Sequence, residues 1–325
     1  PGDGAAVDAG GGRRWAFALG ARLEQQAGSL RDATAAALGE PASATLRLDD
    51  SALVTQIGGA SVQAFAHRYW WGPSWQSSLV LGNNVPPWVG IGVQRSRVVP
   101  SRSPLLSWLG AWNAEFFVAK AQDPLVVERG QPHGYAYAGG RLTIKPHPLV
   151  EMGLTRTFQI GGADRPGGWR TYAKALLAID TNPPDQDGVP SDVSNQLAGV
   201  DLRVGCGRLA RCAFYTQLIG EDQARLLPTK ILSLVGAETW SADGGSRWFV
   251  EHVRTLCHSL FGERAEPGCA YRNQVYTQGY TNATRWIGSS FGPDSRITTL
   301  GWYSAASERR VRLHYGAVGL SLGAY

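Results

Sequence analysis

The chain has 325 residues, 31 Lys and Arg against 26 Asp and Glu, a formal net charge of +5, and 18% charged beside 43% hydrophobic residues. Those figures describe one large folded domain or two ordinary ones and exclude an intrinsically disordered chain. The basic excess is dispersed, with no Lys/Arg run longer than two, so it makes no case for nucleic-acid binding.

No stretch approaches 18 consecutive apolar residues, which excludes a transmembrane helix. It does not exclude a membrane β-barrel, because closed barrels also satisfy every backbone group in lipid and leave a weaker sequence signal. The chain begins at Pro1 without a charged and apolar leader, so any signal peptide is expected to have been removed.

In chain order, a strand is expected at 13–20. Arg22 to Leu38 then carries Leu23, Ala27, Leu30 and Leu38 at helical spacing and is stopped by Gly39 and Pro41. It is the only helix of any length, a loop or plug helix if the fold is a barrel. Strands follow at 45–57, 62–70, 77–81 and 88–94, with one further helical turn at Pro104–Leu109. The strand at 111–120 puts Trp112, Ala114, Phe116 and Val118 on one face and Asn113 and Glu115 on the other. Strands continue at 136–145, 150–160, 170–180, 196–204, 212–220, 231–240, 246–256, 271–287 and 297–304. At the last, 311–325, Val311, Leu313 and Tyr315 alternate with Arg312 and His314. Period-two alternation reads the same in a soluble β-fold as in a membrane barrel. Three features favour the barrel: long strands, a hairpin rhythm, and aromatics near strand ends. These aromatics are Trp15, Tyr69, Trp70, Trp71, Trp88, Tyr137, Trp240, Trp248, Tyr303 and Tyr325.

The four cysteines form two short-spaced pairs, Cys206 with Cys212 and Cys257 with Cys269, each spanning turn-like residues. Two local disulfides fit an oxidising compartment; free buried thiols are the alternative, and no spacing suggests zinc. Gly288-Ser289-Ser290-Phe291-Gly292 fits a nucleophile-elbow pattern, but Pro293 and a strand follow where that elbow needs a helix, so it reads as a turn. The acidic stretch Asp180 to Asp192 lacks EF-hand spacing and reads as a solvated loop rather than a calcium site. No enzyme, metal or cofactor is implied.

An ordered set of segments carries a resemblance. Trp71-Gly72-Pro73-Ser74-Trp75-Gln76-Ser77-Ser78 precedes Asn83-Asn84, and Gly153-Leu154-Thr155-Arg156-Thr157-Phe158-Gln159 precedes Gly161-Gly162. Asn195-Gln196-Leu197-Ala198-Gly199, Gly220-Glu221-Asp222 and Tyr276-Thr277-Gln278-Gly279-Tyr280 follow, then Gly292-Pro293-Asp294-Ser295. Together, over roughly residues 60–300, they resemble the Wzi capsule-assembly family.

The resemblance implies an all-β fold: an antiparallel outer-membrane barrel of about sixteen to eighteen strands, its lumen plugged by loops and a short helix. Residues 1–325 would be a single barrel domain lacking part of its amino-terminal region. It implies a lectin-like, non-enzymatic role in the bacterial outer membrane, binding and anchoring capsular or exported polysaccharide. The lipid bilayer and the polysaccharide export machinery are the implied neighbours, with a porin-like channel as the rival.

A charge facing lipid at the midplane costs roughly 2–4 kcal/mol. Strand charges are therefore expected in the lumen, paired with one another: Glu115, Arg156, Asp201, Arg203, Glu238, Glu251, Arg254 and Arg285, although Arg156 shares parity with Met152, Leu154 and Phe158. Counting strands back from the end puts 71–76 and 95–110 on the same side, outside, with the two cysteine pairs on opposite sides. That would gather Trp71, Trp75, Arg95, Arg97, Arg102 and Trp108 into a site for an acidic polysaccharide, with aromatic faces stacking on sugars and guanidiniums forking onto uronates.

Overall fold

The computed structural model of the chain describes residues 15–20, 22–25, 44–122, 133–163, 165, 168–176, 194–224, 227–259, 265–305 and 307–319. The first strands are β1 (Trp15–Ala18), β2 (Arg22–Gln25), β3 (Ala44–Arg47), β4 (Ser51–Ile57), β5 (Ala60–His67), β6 (Trp88–Arg95) and β7 (Val99–Pro100). A 3-10 turn at Pro104–Leu109 leads into β8 (Ala111–Lys120), β9 (Ala136–His147) and β10 (Val150–Ile160). Helix α1 (Trp169–Leu176) precedes β11 (Ser194–Gly205), β12 (Cys212–Ala224), β13 (Leu227–Trp240) and β14 (Ser246–His258). The short strands β15 (Ala265–Glu266), β16 (Thr281–Asn282) and β17 (Arg285–Trp286) precede β18 (Arg296–Ser304) and β19 (Arg309–Ala317).

Thirteen strands follow one antiparallel path, β1-β4-β5-β6-β8-β9-β10-β11-β12-β13-β14-β18-β19, with β7 beside β8 and β15 beside β14. Three of the sixteen expected strands are absent from this wall. Segment 77–81 lies inside the lumen, 170–180 is helical where it is described, and 271–287 is another luminal segment. The helix expected from Arg22 does not begin there, since Arg22–Gln25 pair with Ala44–Arg47; residues 26–43 lie outside the described set.

The wall is apolar outward. Leu53, Ile57, Val89, Ile91, Leu154, Val200, Phe214, Val235, Trp248, Leu300 and Leu313 are all exposed. Their cross-strand partners share the same face, for example Leu154 opposite Val200 and Leu300 opposite Leu313. So continuous an exposed apolar belt belongs against lipid rather than water. It decides between the two readings that alternation alone left open.

Trp15, Trp112, Trp248 and Trp302 face outward near one end of the wall, as an interfacial girdle requires. Several aromatics expected in that girdle instead face the lumen, including Trp88 and Tyr137, both fully buried. At the girdle end the connections are mostly short, at 58–59, 148–149, 206–211, 241–245 and 305–308. Longer ones, 68–87, 161–193 and 259–295, leave the other end. In such barrels short turns face the periplasm and long loops the exterior.

Two of the long connections fold inward and fill the lumen. Leu79, Val80 and Leu81 of one, and Tyr271, Tyr280, Ile287 and Ser289 of the other, are completely or almost completely buried. They pack on inward side chains of the wall such as Phe65, Phe117, Tyr137, Leu197, Ile219, Leu234 and Val253 in one core. Side chains stand in for a strand ladder. Leu79 N–H donates to Gln217 Oε1 at 2.8 Å, Tyr271 Oη donates to Leu79 O at 2.7 Å, and Tyr280 Oη to Val80 O at 2.9 Å. The plugged lumen is therefore present, and among the described residues these two connections form it; most of the 22–38 segment lies outside the described residues.

Candidate functional site

The inner face of the wall carries a chain of charges. Arg141 on β9 makes a two-point contact with Asp201 on β11 at 2.6 and 2.9 Å, both side chains nearly buried, and donates to Thr155 at 2.8 Å. Gly153 on β10 makes this possible, because a Cβ there would overlap both groups. Glu115 stands opposite Arg141 across β8 and β9. Nearer the short connections, Arg203 donates to Glu238 from Nε at 3.0 Å and from Nη2, and Arg247 donates to the other Glu238 oxygen at 3.1 Å. A buried carboxylate shared by two guanidiniums satisfies the rule that interior charges be paired.

The tip of the 68–87 plug reaches this second cluster. Glu251, fully buried on β14, accepts the backbone N–H of Trp75, that of Gln76 at 3.0 Å, and the Tyr215 hydroxyl at 2.8 Å. The tip is thus clamped by a charge-assisted set of bonds. Trp75 Nε1 donates to Glu238 at 2.8 Å, and its ring stacks on Phe249 at 6.0 Å with an 18° tilt. The Arg247 guanidinium lies 4.7 Å from the centre of the Trp75 ring and 5.5 Å from that of Trp240. Phe249 fits because it lies across Gly301, where any Cβ would overlap its ring.

Trp75 remains 36% exposed, and it faces a cavity lined also by Phe249, Trp302, Tyr303, Arg310 and Arg312. A second cavity, at the short-connection end, is lined by Lys145, Glu151, Arg203, Arg211 and Trp240 among others and abuts the Cys206–Cys212 disulfide. Arg203 lines this cavity and pairs with Glu238, which holds Trp75, so the two cavities share one network. An indole face, a phenol and several guanidiniums around a polar hollow can stack on one ring and fork onto its carboxylate.

The expected sites are redistributed. Trp71 is only 2% exposed and is plug packing, seated against Tyr69 and Phe117 over Gly139. Arg95 faces outward, its guanidinium 3.9 Å from the centre of the Trp112 ring and bonded to the Val99 and Trp112 carbonyls. Arg97, Arg102 and Trp108 are exposed on the 96–110 connection at the girdle end, whereas the 68–87 connection leaves the opposite end. The structure therefore does not bring the six residues together; the false strand expected at 77–81, between the two connections, had placed them on one side.

Within the expected lumen network, Glu115, Asp201, Arg203, Glu238 and Glu251 do face the lumen, whereas Arg254, cross-strand from Arg296 and in register with Val250 and Leu300, faces outward. Arg156 does not. The ladder between β10 and β11 runs without a bulge from Val150 to Ile160, so Arg156 faces outward, bonded to Gln196 and over the Phe158 ring at 5.2 Å. Arg285 lies on β17 of the plug, exposed, and donates to Asn84 O at 3.5 Å. Arg247, Arg310 and Tyr303 were missed as site residues, although alternation with outward Val311 and Leu313 already marked Arg310 and Arg312 as inward. Both cysteine pairs are disulfides, at opposite ends of the wall. Ser289 of the elbow-like motif is a buried plug residue sharing a hydrogen bond of 2.9 Å with Ser77. The acidic stretch 180–192 lies outside the described residues.

The model of the capsule assembly protein Wzi family matches residues 3–315. The chain belongs to the Wzi family. Among solved structures it is similar to Wzi of Escherichia coli, described as an outer-membrane protein involved in group 1 capsule assembly and a carbohydrate-binding β-barrel. The TM-score is 0.71 at 22% identity, over 94% of this chain and 62% of that one. Among curated proteins it is 29% identical, over 187 residues, to an uncharacterized 55.8 kDa protein in the cps region of Klebsiella pneumoniae; the match takes in 56% of this chain and 35% of that protein. The chain thus spans about a third of the curated relative and under two thirds of the solved one. The fold is that of an outer-membrane β-barrel.

Proposed function

We propose that this Wzi-family chain forms the wall and plug of an outer-membrane lectin that binds and anchors acidic capsular or exported polysaccharide. The observation that carries the reading is the half-exposed Trp75, clamped by buried Glu251 and Glu238 beside Phe249, Arg247, Arg310 and Arg312. A rigid aromatic face beside guanidiniums suits a pyranose ring bearing a carboxylate. The mechanism is adsorption, and no chemical step is required of the site. The position of the site in the half of the lumen nearer the short connections means that glycan meets it from the periplasmic side, next to the polysaccharide export machinery. The occupied lumen argues against the porin-like alternative.

The test is capture of an acidic polysaccharide, and of the same polymer after carboxyl reduction, by the purified full-length protein. Trp75→Ala should weaken capture of the acidic polymer about ten-fold, the loss of roughly 1.4 kcal/mol. Arg310→Gln with Arg312→Gln should abolish the preference for the carboxylated form. Unchanged capture by both variants, in protein that folds normally, would move the site elsewhere.

A further inference from the structure

The connection 96–110 differs from its neighbours at the short-connection end of the wall. Gly58-Gly59 and Pro148-Leu149 turn the chain on either side of it, whereas 96–110 is long enough to hold β7 and the 3-10 turn. It is an ordered piece of structure. Arg95 Nη1 donates to Val99 O at 2.7 Å and to Trp112 O at 2.9 Å, and Val99 pairs with Trp112, so the first leg lies along β8. The turn closes on its own backbone, with Leu106 N–H donating to Ser103 O at 3.0 Å and Gly110 N–H to Ser107 O at 3.1 Å. Gly110 then passes Lys145 at a φ of 62°, where a Cβ would overlap the Lys145 carbonyl.

This frame holds apolar side chains away from the protein. Leu105 is 84% exposed and Trp108 63%, Val98, Val99 and Leu106 are also exposed, and the turn buries none of its residues. Their placement continues the lipid belt. By register Val99 shares the outward face of Trp112, the face that carries Val93 on β6 and Ile57 on β4, and Trp112 belongs to the interfacial girdle. The charges of the segment have one sign. Arg95, Arg97 and Arg102 lie within residues 94–114, which contain no Asp or Glu, and neither flanking turn has an acid. The acids of the described residues at this end lie elsewhere: Glu115, Glu151 and Glu238 face the lumen, and Asp243 and Glu308 sit on the β13–β14 and β18–β19 turns. A segment of leucine, tryptophan and arginine without acids matches the headgroup layer of an anionic bilayer. Indole and leucine enter the acyl boundary, and guanidiniums reach back to the phosphates.

We propose that 96–110 is an interfacial foot that binds anionic phospholipid of the periplasmic leaflet, with Leu105, Leu106 and Trp108 in the acyl boundary and Arg97 and Arg102 on headgroup phosphates. Short connections mark this end of the wall as periplasmic, where the leaflet is phospholipid. Arg95 serves the foot differently: stacked on Trp112 and bonded to two carbonyls, it fastens the first leg to the wall. The foot shares no residue with the Trp75 cavity, so it stands or falls independently of the luminal site.

The four cysteines of the chain are paired in disulfides, so Leu105→Cys supplies a free thiol for a bimane label. Ala242→Cys, on the exposed 241–245 turn, supplies a water-facing control. The labelled proteins are reconstituted in phosphatidylcholine nanodiscs with and without phosphatidylglycerol, and heat-modifiable mobility on gels checks that each variant is folded. Brominated lipid should quench the label at 105 about two-fold or more beyond that at 242, with iodide showing the reverse order. Phosphatidylglycerol should raise the bromolipid quenching at 105. That rise should be lost in Arg97→Gln with Arg102→Gln and kept in Arg97→Lys with Arg102→Lys. Iodide quenching at 105 equal to that at 242 would place the foot in water, as a docking surface for another protein, and overturn the proposal. Bromolipid quenching indifferent to phosphatidylglycerol, or unchanged in its response in the glutamine variant, would overturn it too. Protection of the label by added acidic polysaccharide would assign the segment to glycan instead.

Discussion

Gly301 shows how one missing side chain builds a site. It lies on β18 directly opposite Phe249 on β14, and the Phe249 ring crosses the space its Cβ would occupy. That ring is the platform for Trp75. Gly301→Ala should push Phe249 off the stack and cost about 1–3 kcal/mol, the usual range for overpacking a filled space. Intrinsic tryptophan fluorescence and urea unfolding of the variant in micelles should show a shifted emission and a lower midpoint; a variant identical to the parent in both would show that the ring has another seat. Such slots could not be read from the chain, because glycine in a strand looks like a turn signal. What could be read was parity: Asp201 and Arg203 alternate with Val200, Leu202 and Val204, and they do face the lumen. Arg156 broke the rule in the sequence and breaks it in the structure, for the reason that its face is the lipid face.

At the level of elements, local pattern succeeded for strands that pair with neighbours and failed for segments that satisfy their backbone in other ways. Ser77 to Leu81 is uncharged and the 271–287 stretch is rich in Tyr and Thr, as strands are, yet Gln217, Tyr271 and Tyr280 side chains take over the ladder bonds. Periodicity cannot distinguish those cases. The error propagated, because each false strand flips the side of every connection upstream of it. The disulfides were legible from spacing alone, and they differ in what they hold. Cys257 is fully buried in the wall at the point where the second plug segment departs, and Cys269 packs against the luminal core. Cys206–Cys212 closes a turn at the other end. Each closure is worth about 2–3 kcal/mol through the unfolded chain. Cys257→Ser with Cys269→Ser should also open the 267–295 segment to limited proteolysis, while Cys206→Ser with Cys212→Ser should leave it resistant. Equal protection in both variants would show that tyrosine bonding and packing hold the plug without the bridge.

The whole molecule is inverted relative to a soluble β-fold. Its outside is a belt of Val, Leu, Ile and Trp, and its inside combines paired acids and arginines with a plug packed in an aliphatic and aromatic core. Composition gave only the first hint of this, through many tryptophans and few charges. The decisive information is which neighbours each strand takes, and that is fixed by long-range pairing. The same inversion suits the proposed role of holding a polymer rather than passing one: the space that would conduct is filled by two connections with their own tyrosine and carboxylate clamps. The most direct measurement is therefore electrical. Full-length protein inserted into a planar bilayer should give no stable single-channel conductance above the leak of the membrane. Stable, large, reproducible conductance steps would contradict a plugged, glycan-holding barrel and would favour a channel instead.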